Sequence, residues 1–236
     1  MTTHIPETAF ILAAGFGKRL RPYTDTVPKP MVPVCGKPVI DYIIDKLVQC
    51  GVKRVIINLH HMGDVLHTHL TQRTDVEIIF SEEEEILNTG GGVKHALHHV
   101  GAEPFFVING DAFWIDGPDT NAFERLANMW KDKDMDMILL LEPVERMTLT
   151  KPVGDYNIEK DGKAARLKAQ DGAYMFAGVR LCHPRIFKDA PDDAFSFLLL
   201  MDGAEEKGRL YGLEHKGSWH HISSPEELHA VEEAFC

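Results

Sequence analysis

Residues 9–22 read AFILAAGFGKRLRP: six apolar residues, a glycine turn, then three cations within four positions. The run from Ala9 to Ala14 has the length and apolarity of a strand buried on both faces, the kind found inside a parallel sheet. Gly15 and Gly17 let the backbone bend sharply and can present successive N–H groups to an anion. In an open α/β sheet such a strand end is where ligands bind. Lys18, Arg19 and Arg21 supply about the charge a triphosphate needs, and arginine grips phosphate oxygens bidentately. The same residues also suit a basic turn that merely closes a strand–helix connection. Two familiar phosphate loops do not fit: a dinucleotide fingerprint needs a third glycine where Leu20 stands, and a Walker-type loop needs a longer spacing before its Gly-Lys.

Outward from this strand, short apolar runs alternate with amphipathic stretches. Val39, Ile40, Ile43, Ile44, Leu47 and Val48 recur at helical spacing between Pro38 and Gly51, which predicts a helix over 39–48. Further strands are expected over 52–59, 76–80, 105–109 and 135–141, and helices over 61–70, 91–100 and 121–130. Alternation of this kind implies right-handed crossovers and a mainly parallel, mixed sheet with helices on both faces: a Rossmann-like α/β three-layer sandwich. After Glu142 the texture turns β-rich, with short strands expected over 155–159, 164–169 and 174–181 and helices over 193–201 and 225–234. No repeat or linker interrupts the chain, so one domain over 1–236 is expected.

A hydrophobic content of 44% in 236 residues supports a sizeable core. The net charge of −11 argues against a nucleic-acid or anionic-membrane partner, although local cations can still hold a nucleotide. Residues 1–7 lack a basic-then-apolar signal pattern, and no apolar run approaches the roughly 20 residues of a membrane span. A cytoplasmic protein, monomeric or weakly dimeric, is expected. Cys35, Cys50, Cys182 and Cys236 form no C-x-x-C pair and are expected to be reduced thiols, with neither disulfide nor zinc. His95 and His99 share a helix face but lack an evident third ligand. Glu82 to Glu85 read as a solvated loop edge.

Several residues have two readings. Lys29 lies between Pro28 and Pro30, so it is either a stiffly held phosphate ligand or a surface lysine. Asp111 follows Asn109-Gly110 at the end of the FFVIN strand, which suits a metal ligand at the sheet's ligand edge or a plain turn residue. Gly90, Gly91 and Gly92 suit close approach of a ligand at a helix start, or a loose turn. Arg166 and Lys168 could meet a sugar phosphate or lie on the surface.

Taken together, LAAGFGKRLRP followed by PKPMVPVCGKP resembles the opening signature of the sugar-phosphate nucleotidyltransferases. Asn88-Thr89-Gly90-Gly91-Gly92-Val93 resembles the family's base- and ribose-facing loop, and Asn109-Gly110-Asp111 its metal-binding element. Gly154-Asp155-Tyr156 and Tyr174-Met175-Phe176-Ala177-Gly178 resemble its sugar-side elements. Trp219 to Glu226 resembles the closing W-x-D-x-G-T-x-E stretch, with His221 where a carboxylate is usual. The TGGG loop, the GDY segment and the absence of an EKP triplet point to the short bacterial N-acetylmuramate α-1-phosphate uridylyltransferases. Short guanylyltransferases acting on heptose or mannose 1-phosphate are the competitors.

The resemblance implies a nucleotide-binding part over 1–141 and a sugar-binding part over 142–236. It implies UTP and a sugar 1-phosphate as substrates, in the recycling of cell-wall sugars. Arg19 and Lys29 would be catalytic. Leu12, Ala13, Ala14, Gly15, Gly17, Lys18, Thr89, Gly90 and Gly91 would bind the nucleotide. Asn109, Gly154, Asp155 and Gly178 would meet the sugar. Asp111 and His221 would hold Mg²⁺, or Mn²⁺ since imidazole suits it better. His221 also leaves open a degenerate binding subunit, or a residue that only packs beside Trp219.

Overall fold

The computed structural model describes residues 4–118 and 121–236, so residues 4–7 alone represent the chain's opening. The expected first strand is β1 (Thr8–Leu12). A 3-10 turn over Lys29–Met31 leads to the hairpin β2 (Pro33–Val34) and β3 (Lys37–Pro38), then α1 (Val39–Gln49). β4 (Arg54–Leu59), α2 (Gly63–Leu70), β5 (Glu77–Glu82) and α3 (Asn88–His95) follow. The next elements are β6 (Phe105–Asn109), β7 (Ala112–Ile115), α4 (Ala122–Met129) and β8 (Met137–Pro143). The later chain forms β9 (Tyr156–Ile158), β10 (Ala164–Arg166), β11 (Tyr174–Cys182) and α5 (Leu198–Glu206). It closes with β12 (Leu210–Glu214), β13 (Ser218–His221) and α6 (Pro225–Phe235).

The central sheet runs β10-β9-β11-β6-β1-β4-β5, with β8 on β11 and β12 on β8. β1 is parallel to both β4 and β6, whereas β11 is antiparallel to β6 and β8. The sheet is therefore mixed, as expected, and it carries strands from both halves of the chain. Strand alternation sorts the core into two layers. Ala9 and Ile11 pack with the apolar faces of α1, α2, α4 and α6, while Phe10 faces α3 and α5. Helices thus cover both faces of the sheet. No helix of the described residues is long and apolar enough to cross a membrane.

Several expectations need correction. The helix expected over 193–201 begins only at Leu198. The segment before it is tied to the start of α3 instead: Phe195 N–H donates to the Leu87 carbonyl at 3.2 Å, and Phe197 N–H to Thr89 Oγ1 at 2.8 Å. Those tertiary hydrogen bonds outcompete local helix formation. The helix expected over 91–100 starts at Asn88 and gives way to a 3-10 turn at Leu97–His99. The strands β7 and β12 and the β2–β3 hairpin were not expected.

The cysteine reading also changes. Cys35 and Cys236, 201 residues apart, form a disulfide. Cys35 sits in the β2–β3 turn and Cys236 just after α6, and α6 packs on β2, which brings the two thiols together. Cys50 and Cys182 remain free and buried.

Candidate active site

The carboxyl ends of β1 and β6 lie side by side, with Leu12 opposite Asn109. Gly110 N–H donates to the Leu12 carbonyl at 2.9 Å, which keeps the two strand ends together. A cavity of about 270 Å³ opens at this edge. Leu12, Ala13, Ala14 and Gly15 form one wall, Asn88 and Thr89 another, and Lys29, Asn109 and Asp111 the floor between them. The expected glycine-loop, lysine and aspartate residues therefore converge although 82 positions separate Lys29 from Asp111.

Lys29 and Asp111 form an ion pair whose side chains are 14% and 31% exposed. Pro28 and Pro30 flank Lys29 in its 3-10 turn, so the backbone that aims the ammonium group is stiff. Burial pushes the Asp111 carboxyl up, but the Lys29 charge and hydrogen bond, with a smaller effect of His221, hold it below the ordinary range. His221 lies on β13, paired with Ala112 one residue past Asp111. Burial lowers its pKa; Asp111 and Glu227 oppose that, Lys29 and Arg19 reinforce it, and the net shift is downward. The side chain faces Trp219 at 5.8 Å between ring centroids, while His220 turns the other way onto Phe235 at 4.8 Å. This is the alternation expected of the strand.

Other expected residues occupy less direct positions. Arg19 is exposed, near enough to His221 to influence its charge, but outside the cavity wall. Lys18 lies over the Phe16 ring at 5.2 Å and Gly17 accepts a hydrogen bond from Thr24 Oγ1 at 2.9 Å; neither lines the cavity. Gly90 and Gly91, expected to face base and ribose, are turned elsewhere. Their N–H groups both donate to the Phe195 carbonyl, at 2.8 and 3.1 Å, and a side chain on Gly90 would meet the Phe195 ring at 2.3 Å. They serve close packing of α3 on the 195–197 segment.

Sequence reading missed the buried network behind the loop. Ala13 N–H donates to Asn58 Oδ1, and Asn58 Nδ2 to Glu83 Oε1, each at 2.7 Å. Leu87 N–H donates to Glu83 Oε2 at 2.9 Å. Glu83 is 5% exposed, which corrects the solvated reading for that residue, while Glu82, Glu84 and Glu85 are exposed as expected. The only signal was a position: Glu83 directly follows a strand end. Asn58, Glu83, Ile86 and Asn88 all line the cavity.

A second cavity of about 250 Å³ adjoins the first through the shared residues Thr89 and Asn109. Asp155, Arg166, Lys168, Phe176 and Arg180 line it, so the two doubtful cations do face a pocket. Asp155 Oδ1 accepts the Phe176 N–H at 2.9 Å, and burial raises its pKa against that hydrogen bond. Gly154 and Gly178 are outside the lining. A side chain on Gly154 would come within 1.9 Å of the Gly172 carbonyl. Gly178, at φ 76°, sits in the β11 register shift between Phe176 and Arg180. Arg180 was not anticipated. It is 2% exposed, and burial drops its pKa to about 10. A larger cavity, about 800 Å³, lies at the opposite sheet edge around Thr8, Arg54 and Pro104 and contains none of these groups.

Comparison with known proteins agrees with this geometry. Residues 8–151 match the nucleotidyl transferase family. The chain is 36% identical over 233 residues to N-acetylmuramate alpha-1-phosphate uridylyltransferase of Caulobacter vibrioides, covering 96% of each. It is 29% identical to the mannose-1-phosphate guanylyltransferase catalytic subunit beta of Danio rerio, covering 93% of this chain and 62% of that one. The crystal structure of HddC from Yersinia pseudotuberculosis complexed with GMP-PN matches with a TM-score of 0.78 and 26% identity, over 98% of this chain and 100% of that one. The glycine-loop strand, the Lys29–Asp111 pair and the two joined cavities thus belong to a member of the nucleotidyl transferase family, a sugar-1-phosphate nucleotidyltransferase.

Proposed function

We propose that the chain transfers a uridylyl group from UTP to N-acetylmuramic acid α-1-phosphate and releases pyrophosphate, a cytoplasmic reaction in cell-wall sugar recycling. The observation that carries this reading is the match to the Caulobacter uridylyltransferase over 96% of both chains. A phosphate oxygen of the sugar 1-phosphate attacks the α-phosphorus, and the bond to the leaving pyrophosphate breaks on the opposite side. The nucleophile is already an anion, so no general base is needed; the protein must position two anions and offset their repulsion.

Lys29 bridges the α-phosphate and the incoming phosphate. Without substrate its charge is matched by Asp111, so nucleotide binding exchanges one anionic partner for another. Arg19, aided by Lys18, neutralises the pyrophosphate. Leu12 to Gly15 and Thr89 hold the base and ribose in the first cavity. Asn109 and Asp155 meet the sugar in the second, with Gly154 and Gly178 shaping the backbone around it.

The donor set at Asp111 fits a divalent ion shared with substrate. Asp111 would supply one carboxylate and His221, which lies near enough to influence its charge, one imidazole. Mg²⁺ suits this, because it keeps several waters and commonly binds through one or two carboxylates and phosphate oxygens. When bound, such an ion supplies charge neutralisation at the α-phosphate.

A second reading, guanylyl transfer to heptose or mannose 1-phosphate, is favoured by the HddC structure with GMP-PN. Pyrophosphate release measured for each nucleoside triphosphate against each sugar 1-phosphate decides between them. Highest kcat/KM for UTP with N-acetylmuramic acid α-1-phosphate is expected; highest kcat/KM for GTP with a heptose or mannose 1-phosphate would overturn the uridylyl reading.

A further inference from the structure

Arg180 is a buried cation without an acidic partner. Among the described residues it forms no ion pair. One guanidinium nitrogen donates to Asn109 Oδ1 at 3.0 Å, another reaches the Met201 sulfur at 3.7 Å, and Nε is buried with no partner. Arginine has five N–H donors, and leaving charged donors unmet in a buried place is costly. The guanidinium carbon lies 4.0 Å from the Phe197 ring centroid and 5.2 Å from that of Phe176. A guanidinium's N–H donors all lie in its plane, so a further partner must approach along its edge. That edge is the one that matches a carboxylate bidentately.

The surroundings favour a ligand anion. Arg180 lines the second cavity together with Arg166 and Lys168, and Asp155 is the sole acidic residue of that lining. Arg166 is neutralised by Asp202, through contacts of 2.9 and 3.0 Å. Asp155 spends Oδ1 on the Phe176 N–H. Lys168 is exposed at the rim with no ion pair among the described residues. The cavity therefore has an unmatched cation in its floor and another at its mouth.

The sugar's own phosphate is not the natural occupant. Val179 and Leu181 point into the core layer shared with Leu20, Val32 and Ile222, which flank Arg19, the Lys29 turn and His221. Arg180 alternates to the opposite face, against Phe197 and Met201 of the α5 layer. Lys29 lines the first cavity but not the second, and Arg180 lines the second but not the first.

We propose that Arg180 is the specificity-determining counter-ion for a carboxylate carried by the sugar, so that the acceptor class is an acidic sugar 1-phosphate rather than a neutral one. This rests on the acceptor reading above, in which the lactyl ether of N-acetylmuramic acid provides that carboxylate. Lys168 at the mouth would attract the acid and Arg180 would seat it.

The test measures kcat/KM with UTP for three acceptors: N-acetylmuramic acid α-1-phosphate, its lactyl carboxamide, and N-acetylglucosamine α-1-phosphate, which lacks the lactyl ether. The unaltered enzyme should prefer the carboxylate over its isosteric amide by about tenfold or more, as expected for a charge-assisted pair. Arg180→Met should bring that ratio towards one, and Arg180→Lys should restore part of it. The amide comparison needs no variant and so stands even if Arg180→Met fails to fold. Equal kcat/KM for acid and amide would overturn the proposal alone. An equal loss for all three acceptors in Arg180→Met would overturn it too, by placing Arg180 on the phosphate they share. No turnover of any of the three would overturn the acceptor reading, and the proposal with it.

Discussion

At the scale of single residues, charge placement separates the groups proposed to act on phosphate from those that hold the fold. Arg19 is exposed and Lys29 is tied only to Asp111, so neither supports much of the core. Arg19→Ala and Lys29→Ala should each lower kcat by about 10²–10³-fold, the scale seen when one transition-state donor is removed. Melting temperature should stay nearly constant in Arg19→Ala and fall in Lys29→Ala, which leaves Asp111 without its counter-ion. A variant with near-normal turnover would remove that residue from the mechanism. His221 is a sharper case, because burial favours its neutral form and neutral imidazole suits Mn²⁺ better than Mg²⁺. Mn²⁺ should therefore match or exceed Mg²⁺ in supporting turnover, and His221→Asp should shift the preference back to Mg²⁺. Titrating each metal into chelator-stripped enzyme checks this; unchanged metal preference in both His221→Asp and His221→Ala would confine the residue to packing on Trp219.

At the scale of elements, α3 and the segment before α5 form one unit. Gly90 and Gly91 share the Phe195 carbonyl, and Thr89 Oγ1 receives the Phe197 N–H. Phe197 then packs on Arg180, so the loop at Thr89 and the second cavity are linked through a few residues. Gly90→Ala would push a methyl to 2.3 Å from the Phe195 ring. It should cost about 1–3 kcal/mol, as overpacking does. It should also raise KM for the sugar 1-phosphate by displacing Phe197. Denaturant unfolding and acceptor kinetics measure the two effects; full stability with unchanged KM would show that α3 and the 195–197 segment are not coupled.

At the scale of the whole molecule, several histidines are buried in ways that disfavour their charged form. Burial lowers the pKa of His220, with a smaller effect of His215, and burial is also the leading cause at His183. In the unfolded chain such groups titrate near about 6.5. Below that pH the unfolded state binds more protons than the folded one, so stability should fall as pH drops through 6.5 towards the lower folded pKa values. Above about pH 7 these groups should contribute no slope. A melting-temperature series from pH 8 to 5 tests the sign, and His220→Phe should flatten the acid limb. A melting temperature that rises on acidification would contradict it.

Residues 9–22, the helical spacing from Val39 to Val48 and the FFVIN strand determined by themselves a three-layer α/β fold and the edge on which its site lies. Those signals are local: each depends on periodicity or on a turn within a dozen residues, which a chain carries before it folds. The tertiary structure decided what local pattern could not express. Glu83 looked like one member of a charged run, yet Asn58 and the Leu87 N–H, brought to it by neighbouring elements, bury its carboxylate. The 193–197 stretch looked helical, yet hydrogen bonds to Leu87, Thr89 and Gly90 tie it to α3 and the helix begins only at Leu198. Cys35 and Cys236 gave no spacing signal because their meeting depends on α6 reaching β2. Arg180 sat in an ordinary strand sequence, and only the approach of Phe197 and Met201 to β11 left its charge buried beside two rings and, among the described residues, without an ion pair. Partners distant in sequence set these outcomes, because burial and charge pairing are properties of the assembled core rather than of the local chain.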